Sequence, residues 1–130
     1  MQRSILIIDD DEDDCMLIKD SLVQIGIRHP IKIVLGGQQA LDLLQTLTLE
    51  LPLLIILDLN MPLMDGFQVL DRINSDYKIP VVMYTTSCDD ETVAKAKSAG
   101  AIDCIKKGTS YADNLKFAKY IFDLTKEFKS

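Results

Sequence analysis

The chain has 130 residues, 48% of them hydrophobic and 26% charged, and its 14 Lys+Arg against 20 Asp+Glu give a net charge of −6. That length supports one core burying roughly two-thirds of the unfolded surface, so the expectation is a single domain over residues 1–130 with no output domain attached. The acidic balance, with a pI near 4.6, lacks the electrostatic footprint of nucleic-acid binding and argues against anionic membrane surfaces.

Short runs rich in Ile, Val and Leu alternate with segments of helical period. A first strand is predicted at residues 4–8, followed by a helix whose Cys15, Ile18, Leu22 and Ile25 share one face and which Gly26 can stop. A second strand at 31–35 precedes a turn at Gly36 and Gly37 and a helix carrying Ala40, Leu44 and Leu47. Residues 49–52 read as the loop into a third strand at 53–57, and Phe67, Leu70 and Ile73 mark the third helix. A fourth strand at 81–85 leads to an Ala-rich helix at 90–99, anchored by Val93 and Ala96 and ending at Gly100. A fifth strand at 102–105 leads to a last helix over residues 112–128, where Leu115, Ala118 and Phe122 form the expected core stripe. Phe117, Tyr120, Leu124 and Phe128 make a second apolar strip on that helix, read as a homodimer or partner surface.

The strands are almost continuously apolar, the mark of burial on both faces. Five β-α pairs in succession then predict a doubly wound α/β domain, a five-stranded parallel sheet with helices on both faces. The longest apolar run, residues 53–57, is far shorter than the ~20 residues of a membrane span. Residues 1–8 lack a secretory h-region and a small-residue cleavage site, which points to the cytoplasm. Cys15, Cys88 and Cys104 are odd in number without C-x-x-C spacing, so they read as reduced, buried or half-buried thiols.

In such a sheet ligands sit beyond the carboxyl ends of the strands, where strand order reverses. Strand one ends in Asp9 and Asp10, strand three in Asp58, strand four in Thr85 and Thr86, and strand five in Lys106 and Lys107. Of the six acids at 9–14, those from Asp11 to Asp14 suit a helix cap and its dipole. Asp9, Asp10 and Asp58 are expected to converge, and two carboxylates ~4 Å apart repel by about 4 kcal/mol at an effective dielectric near 20. Hard oxygen ligands without His or Cys nearby suit Mg²⁺ or Mn²⁺. An EF-hand does not fit, because Asp9, Asp11 and Asp13 lack the turn Gly and the twelfth position is Asp20. No dinucleotide or nucleotide phosphate loop is present. Because side chains alternate along a strand, only one of Lys106 and Lys107 can reach the acids.

Four segments carry a strong resemblance to the receiver domains of bacterial two-component response regulators. They are Ile5-Leu6-Ile7-Ile8-Asp9-Asp10, Leu57-Asp58-Leu59-Asn60-Met61-Pro62 with Asp65-Gly66, Pro80-Val81-Val82-Met83-Tyr84-Thr85, and Ala99-Gly100-Ala101 leading to Lys107. The resemblance implies a (βα)5 flavodoxin-like fold and a phosphorelay role in which Asp58 accepts a phosphoryl group from a partner's phosphohistidine. It implies that Asp10, Asp58 and the backbone carbonyl of Asn60 hold Mg²⁺, with Asp9 acting mainly through a water. Thr85 would hydrogen-bond the phosphoryl oxygen, Lys107 would pair with it, and Asn60 and Ser87 would tune water attack. The signal would appear on the face of helix four, strand five and helix five. Two positions depart from the family: Gly108 stands where Pro with a cis peptide usually follows the lysine, and Cys104 replaces the aromatic three residues before it. Thr85-Thr86-Ser87 with a lysine lacking that Pro is similar to the small receivers that partner bacterial phytochrome kinases.

The expectation is therefore a stand-alone phosphoacceptor switch whose partners are a histidine kinase or phosphotransfer protein and a downstream output protein. Two alternatives stay open. A receiver-like interaction module that no longer takes phosphate is motivated by Gly108 and Cys104. A haloacid-dehalogenase-type phosphatase also uses a strand-end Asp with Mg²⁺, but its residue two beyond the nucleophile is normally an acid, and Asn60 cannot donate a proton. The single histidine, His29 beside Pro30, reads as solvated surface.

Overall fold

The computed structural model describes residues 3–47 and 50–128. Its elements run β1 (Ile5–Ile8), α1 (Glu12–Ile25), β2 (Ile31–Val34), α2 (Gly37–Thr46), β3 (Leu54–Leu57), α3 (Gly66–Asp76), β4 (Val81–Thr85), α4 (Asp90–Ser98), β5 (Asp103–Lys106) and α5 (Tyr111–Glu127). The strands form one sheet in the order β2-β1-β3-β4-β5, and all pairs are parallel. The predicted doubly wound α/β fold is the observed one. Chain order reverses between β1 and β3, whose last residues Ile8 and Leu57 lie opposite each other.

Alternation along the strands divides the core in two. Leu6, Ile8, Ile55, Leu57, Val81, Met83 and Cys104 pack with α2, α3 and α4 on one face. Ile5, Ile7, Leu54, Ile56, Val82 and Tyr84 pack with α1 and α5 on the other. The three inner strands are therefore buried throughout, whereas β2 and β5 at the edges are only partly so. The helix ends follow local chemistry. Asp11 caps α1 by accepting from the amides of Asp13 and Asp14, and Gly26 ends it with φ of 109°, in the left-handed region. Asp65 and Gln68 form a capping box at the start of α3.

Several expectations shift. Strand five runs Asp103–Lys106, one residue later than predicted, with Ile102 37% exposed and its amide bonded to Val81. Leu47 lies just past α2 as its C-cap. Leu49, part of the predicted loop, lies outside the described residues. His29 is not free surface, because its Nδ1 donates to the Arg3 carbonyl oxygen at 3.0 Å. The largest correction concerns α5. Its buried residues are Phe117, Ala118, Ile121 and Thr125, while Leu115 and Phe122 are only half-buried. Phe117 belongs to the core rather than to an outer strip, stacked on Tyr84 with ring centroids 3.7 Å apart. Tyr120, Leu124 and Phe128 are half-buried against the same cluster.

The contrast between inner and edge strands is measurable. Ile56→Ala, at a site 1% exposed on β3, is expected to cost about 2–5 kcal/mol, and Ile33→Ala on the half-exposed edge strand β2 clearly less. Urea denaturation of the two variants checks this, and equal losses would contradict the burial pattern.

Candidate functional site

The site lies where two apolar strands end in carboxylates. Asp9 follows β1 and is 1% exposed; Asp58 follows β3 and is 5% exposed. The Asp58 amide donates to the Ile8 carbonyl at 2.9 Å, which holds the two strand ends together. Gly66 closes the loop from below, since a Cβ there would run into the Asp58 carbonyl oxygen and Leu59 Cα. Its amide donates to Leu59 at 2.8 Å. Asp10 is exposed, and one carboxylate oxygen from each of Asp9, Asp10 and Asp58 falls in a group spanning no more than 4.8 Å. The predicted acidic cluster is thus assembled, with oxygen donors that fit a hard divalent cation.

Lys107 is the counter-charge. Its backbone amide is bonded to the Thr85 carbonyl at 2.9 Å, and its side chain, 10% exposed, extends over the strand ends. Nζ lies 2.7 Å from Asp9 Oδ2, 2.8 Å from Asp14 Oδ2 and 3.7 Å from Asp58 Oδ1. Lys106 is exposed and points elsewhere. Asp14 was not expected here. Asp11 does the capping, whereas Asp14, in the first turn of α1, also holds Lys107. The signal available in the sequence was position: a first-turn side chain of a helix that follows a central strand faces the strand ends.

The electrostatics follow from burial. Burial and then the charge of Asp9 push the Asp58 carboxyl up to about 6, against the pull of Lys107, the Asn60 amide and the Thr85 hydroxyl. Burial also raises the Asp9 carboxyl, against the bonds it accepts from Lys107 and from the Asp11 amide. Burial works to lower the Lys107 ammonium, but its bonds to Asp14 and Asp9 and the charge of Asp58 hold it well above the ordinary lysine range. Four carboxylates around one ammonium leave the site short of positive charge.

Thr85 is fully buried at the end of β4. Its Oγ1 accepts from Asn60 Nδ2 at 3.4 Å and from the Ser87 amide at 3.3 Å, so its own hydrogen is free to point at Asp58. Asn60 Nδ2 also donates to Ser87 Oγ at 2.8 Å, linking the two positions singled out beyond Asp58 and Thr85. Tyr84, the neighbour on β4, is a core side chain with a fully used hydroxyl. It donates to Asn114 Oδ1 at 2.8 Å and accepts from the Gly108 amide at 3.2 Å. Proline at 108 could not make that second bond, so the loop after β5 is tied down by different means; no cis peptide occurs among the described residues.

In the metal-free protein the charged form of Asp58 costs stability. The carboxyl titrates near 3.8 when unexposed to these neighbours and at about 6 when folded, so the folded state holds the extra proton between those values and stability falls as pH rises through them. The displacement corresponds to on the order of 3 kcal/mol. Asp58→Asn is therefore expected to exceed wild type by that order at about pH 8, with the gap closing below about pH 4. Urea denaturation with a chelator present checks this, and a less stable variant at the higher pH would refute it.

The response regulator receiver domain family matches residues 5–118. A probable methanogenesis regulatory protein, FilR2 of Methanothrix harundinacea, is 32% identical over 115 residues, which cover 84% of this chain and 74% of that protein. Other curated relatives are much longer than the match, which takes in 44% of a Streptomyces coelicolor transcriptional regulator and 17% of an Arabidopsis thaliana response regulator. Among solved structures, the phosphorylated cyanobacterial phytochrome response regulator RcpA superposes with a TM-score of 0.87 at 27% identity, covering all of both chains. The Mn²⁺-bound form of response regulator Rcp1 gives 0.83 at 29% identity, covering 98% of this chain and 97% of that one. Receiver domains of this kind bind a divalent metal and exchange contacts with histidine kinases or phosphotransfer proteins. No helix among the described residues is long and apolar enough to cross a membrane. With the family match spanning most of the chain and the fold matched over its whole length, the chain belongs to the response regulator receiver domain family.

Proposed function

We propose that this receiver takes a phosphoryl group onto Asp58 from a partner's phosphohistidine and uses the change to alter its contacts with an output protein. The observation that carries this is Asp58 itself, buried at the end of β3, with Lys107 3.7 Å away and Asp9 and Asp10 beside it. An Asp58 oxygen attacks phosphorus, a new O–P bond forms, and the P–N bond to the donor imidazole breaks. A carboxylate needs no deprotonation at neutral pH, so the protein's contribution is positioning and charge neutralisation.

Each neighbouring group has a role in that scheme. Asp10, Asp58 and the Asn60 backbone carbonyl would hold Mg²⁺. Asp9 would act mainly through water, because its Oδ1 already accepts from the Asp11 amide and its Oδ2 from Lys107. Bound there, Mg²⁺ would supply the positive charge that Lys107 alone does not, with Mn²⁺ as a substitute. The product carries about −1.5 to −2 charges; Lys107 pairs with it, and Thr85 donates its hydroxyl to it. Asn60 and Ser87, bonded to each other, stand over the route of an attacking water and set the lifetime of the acyl phosphate. The protein in this reading catalyses only its own phosphorylation and dephosphorylation.

The donor is a histidine kinase or phosphotransfer protein. The full-length likeness to a phytochrome response regulator, together with Thr85-Thr86-Ser87 and Gly108, favours a phytochrome-class kinase. Self-association through α5 would use Tyr120, Leu124 and Phe128 without Phe117. Intact mass after incubation with Mg²⁺ and a small-molecule phosphodonor should show the gain of one phosphoryl group in wild type and none in Asp58→Asn. Lys107→Ala should slow uptake roughly 100-fold. A gain that persists in Asp58→Asn, or none in wild type, would reject the assignment.

A further inference from the structure

Two thiols that the phosphoacceptor reading does not use face each other beside its site. Cys88 lies between β4 and α4, and Cys104 lies on β5. Their Sγ atoms are 3.7 Å apart, and the Cys88 thiol points at the Cys104 carbonyl oxygen, 3.3 Å away. We propose that Cys88 and Cys104 are a disulfide-forming pair, a redox modification site that fastens the β4–α4 loop to β5.

The surroundings divide the labour between the two sulfurs. Cys104 is 5% exposed, and burial, with the Cys88 thiol beside it, pushes its own thiol up to about 12. It is neither accessible to a reagent nor readily ionised. Cys88 is half-exposed and lines a surface hollow of about 350 Å³ with Thr86, Ser87, Asp89 and Lys106. A small oxidant therefore meets Cys88 first, and Lys106 gives a carboxylate-bearing one a cation to rest against.

With a low-molecular-weight disulfide of the glutathione type as oxidant, the chemistry closes in two exchanges. The Cys88 thiolate attacks one sulfur of the reagent, its S–S bond breaks, and one thiol leaves carrying the proton lost by Cys88. Cys104 then gives up its proton and attacks the Cys88 sulfur, expelling the second thiol. Two cysteine thiols are oxidised, one reagent disulfide is reduced to two thiols, and no other reactant is needed. The sulfurs must close from 3.7 Å to about 2.05 Å, a movement that an irregular loop can supply and a strand cannot. Cys15 cannot substitute for either partner. It packs with α1 and α5 on the opposite face of the sheet from Cys104.

The position gives the bond its interest. Cys88 immediately follows Ser87, whose hydroxyl accepts from Asn60 and whose amide donates to Thr85. If Thr85 turns toward a phosphoryl group on Asp58, that small network must be rebuilt, and a loop fastened to β5 resists it. This consequence rests on the proposed function; formation of the bond does not.

The test therefore uses no phosphodonor. Wild type, Asp58→Asn and Cys15→Ser are incubated with oxidised glutathione, denatured and alkylated, and compared with Cys88→Ser and with reduced controls. Reduced wild type should take three alkyl groups and the oxidised protein one, with a proteolytic fragment linking Cys88 to Cys104 and reversal by dithiothreitol. Asp58→Asn should behave as wild type, Cys15→Ser should still cyclise, and Cys88→Ser should keep two alkylatable thiols. Three alkylated cysteines after oxidation, or a stable glutathione adduct on Cys88 of wild type, would overturn the proposal. Cys88→Ser changes a half-exposed loop residue, and near-identical far-UV circular dichroism would establish that its loss of cyclisation is not a loss of fold.

Discussion

One ammonium among carboxylates sets the conditions for everything at the strand ends. Lys107 Nζ lies within 4 Å of Asp9, Asp14 and Asp58, and Asp10 adds a fourth acid. Without it, each close carboxylate pair would repel by about 4 kcal/mol at an intermediate dielectric, a large share of the 5–15 kcal/mol by which domains of this size are usually stable. With it, the cluster folds, although burial and then the charge of Asp9 still hold the Asp58 carboxyl up at about 6. Removing the lysine would leave buried charge unopposed, whereas a divalent cation relieves what the lysine cannot. The same imbalance that makes the site costly makes it receptive.

That cost can be carried because the sheet beneath is built for burial. β1, β3 and β4 have no exposed residue, so both side-chain sets of each strand contribute to the core. The change from Ile8 to Asp9 and from Leu57 to Asp58 is abrupt. It places charge at the reversal point of the strand order. The bond from the Asp58 amide to Ile8 and the close approach of Gly66 then hold the carboxylates at fixed separation. Positioning is thus supplied by backbone and core rather than by side chains that must be ordered on binding.

Much of this was legible in the sequence because continuous apolar runs and strand-end chemistry are local signals. Five apolar runs, each followed by a helical pattern, left one architecture, and the first polar residues after them were Asp9, Asp58, Thr85 and the Lys106-Lys107 pair. What could not be read depends on which helix face packs inward and at what rotation. Helix α5 has two apolar stripes of acceptable spacing, and packing on α1 and β4 selects Phe117, Ala118 and Ile121 over Leu115 and Phe122. Asp14 was hidden for the same reason. A first-turn acid serves equally as a dipole partner or as a ligand for Lys107, and only the tilt of α1 over the strand ends decides. The approach of Cys88 to Cys104 depends on the path of an irregular loop, for which sequence offers no period.

The two departures from the family pattern lie on β5 and just after it, beside β4. With Cys104 in place of an aromatic, β5 has no large ring to move, and the ring in this region is Tyr84, one strand over. Tyr84 is 2% exposed, stacked on Phe117 and bonded at its hydroxyl to both Asn114 and Gly108. Moving it would break two hydrogen bonds and an aromatic stack, so it acts as a fixed strut between the end of β4, the loop after β5 and the start of α5. Gly108 is what makes the strut complete, because its amide supplies the second bond and a side chain there would collide with Asp113. Beside this strut runs the β4–α4 segment from Thr86 to Asp89, exposed except for the half-buried Cys88. That segment carries Ser87 and Cys88. The hydrogen bonds from Thr85 through Asn60 and Ser87 tie the surroundings of Asp58 to the loop before α4.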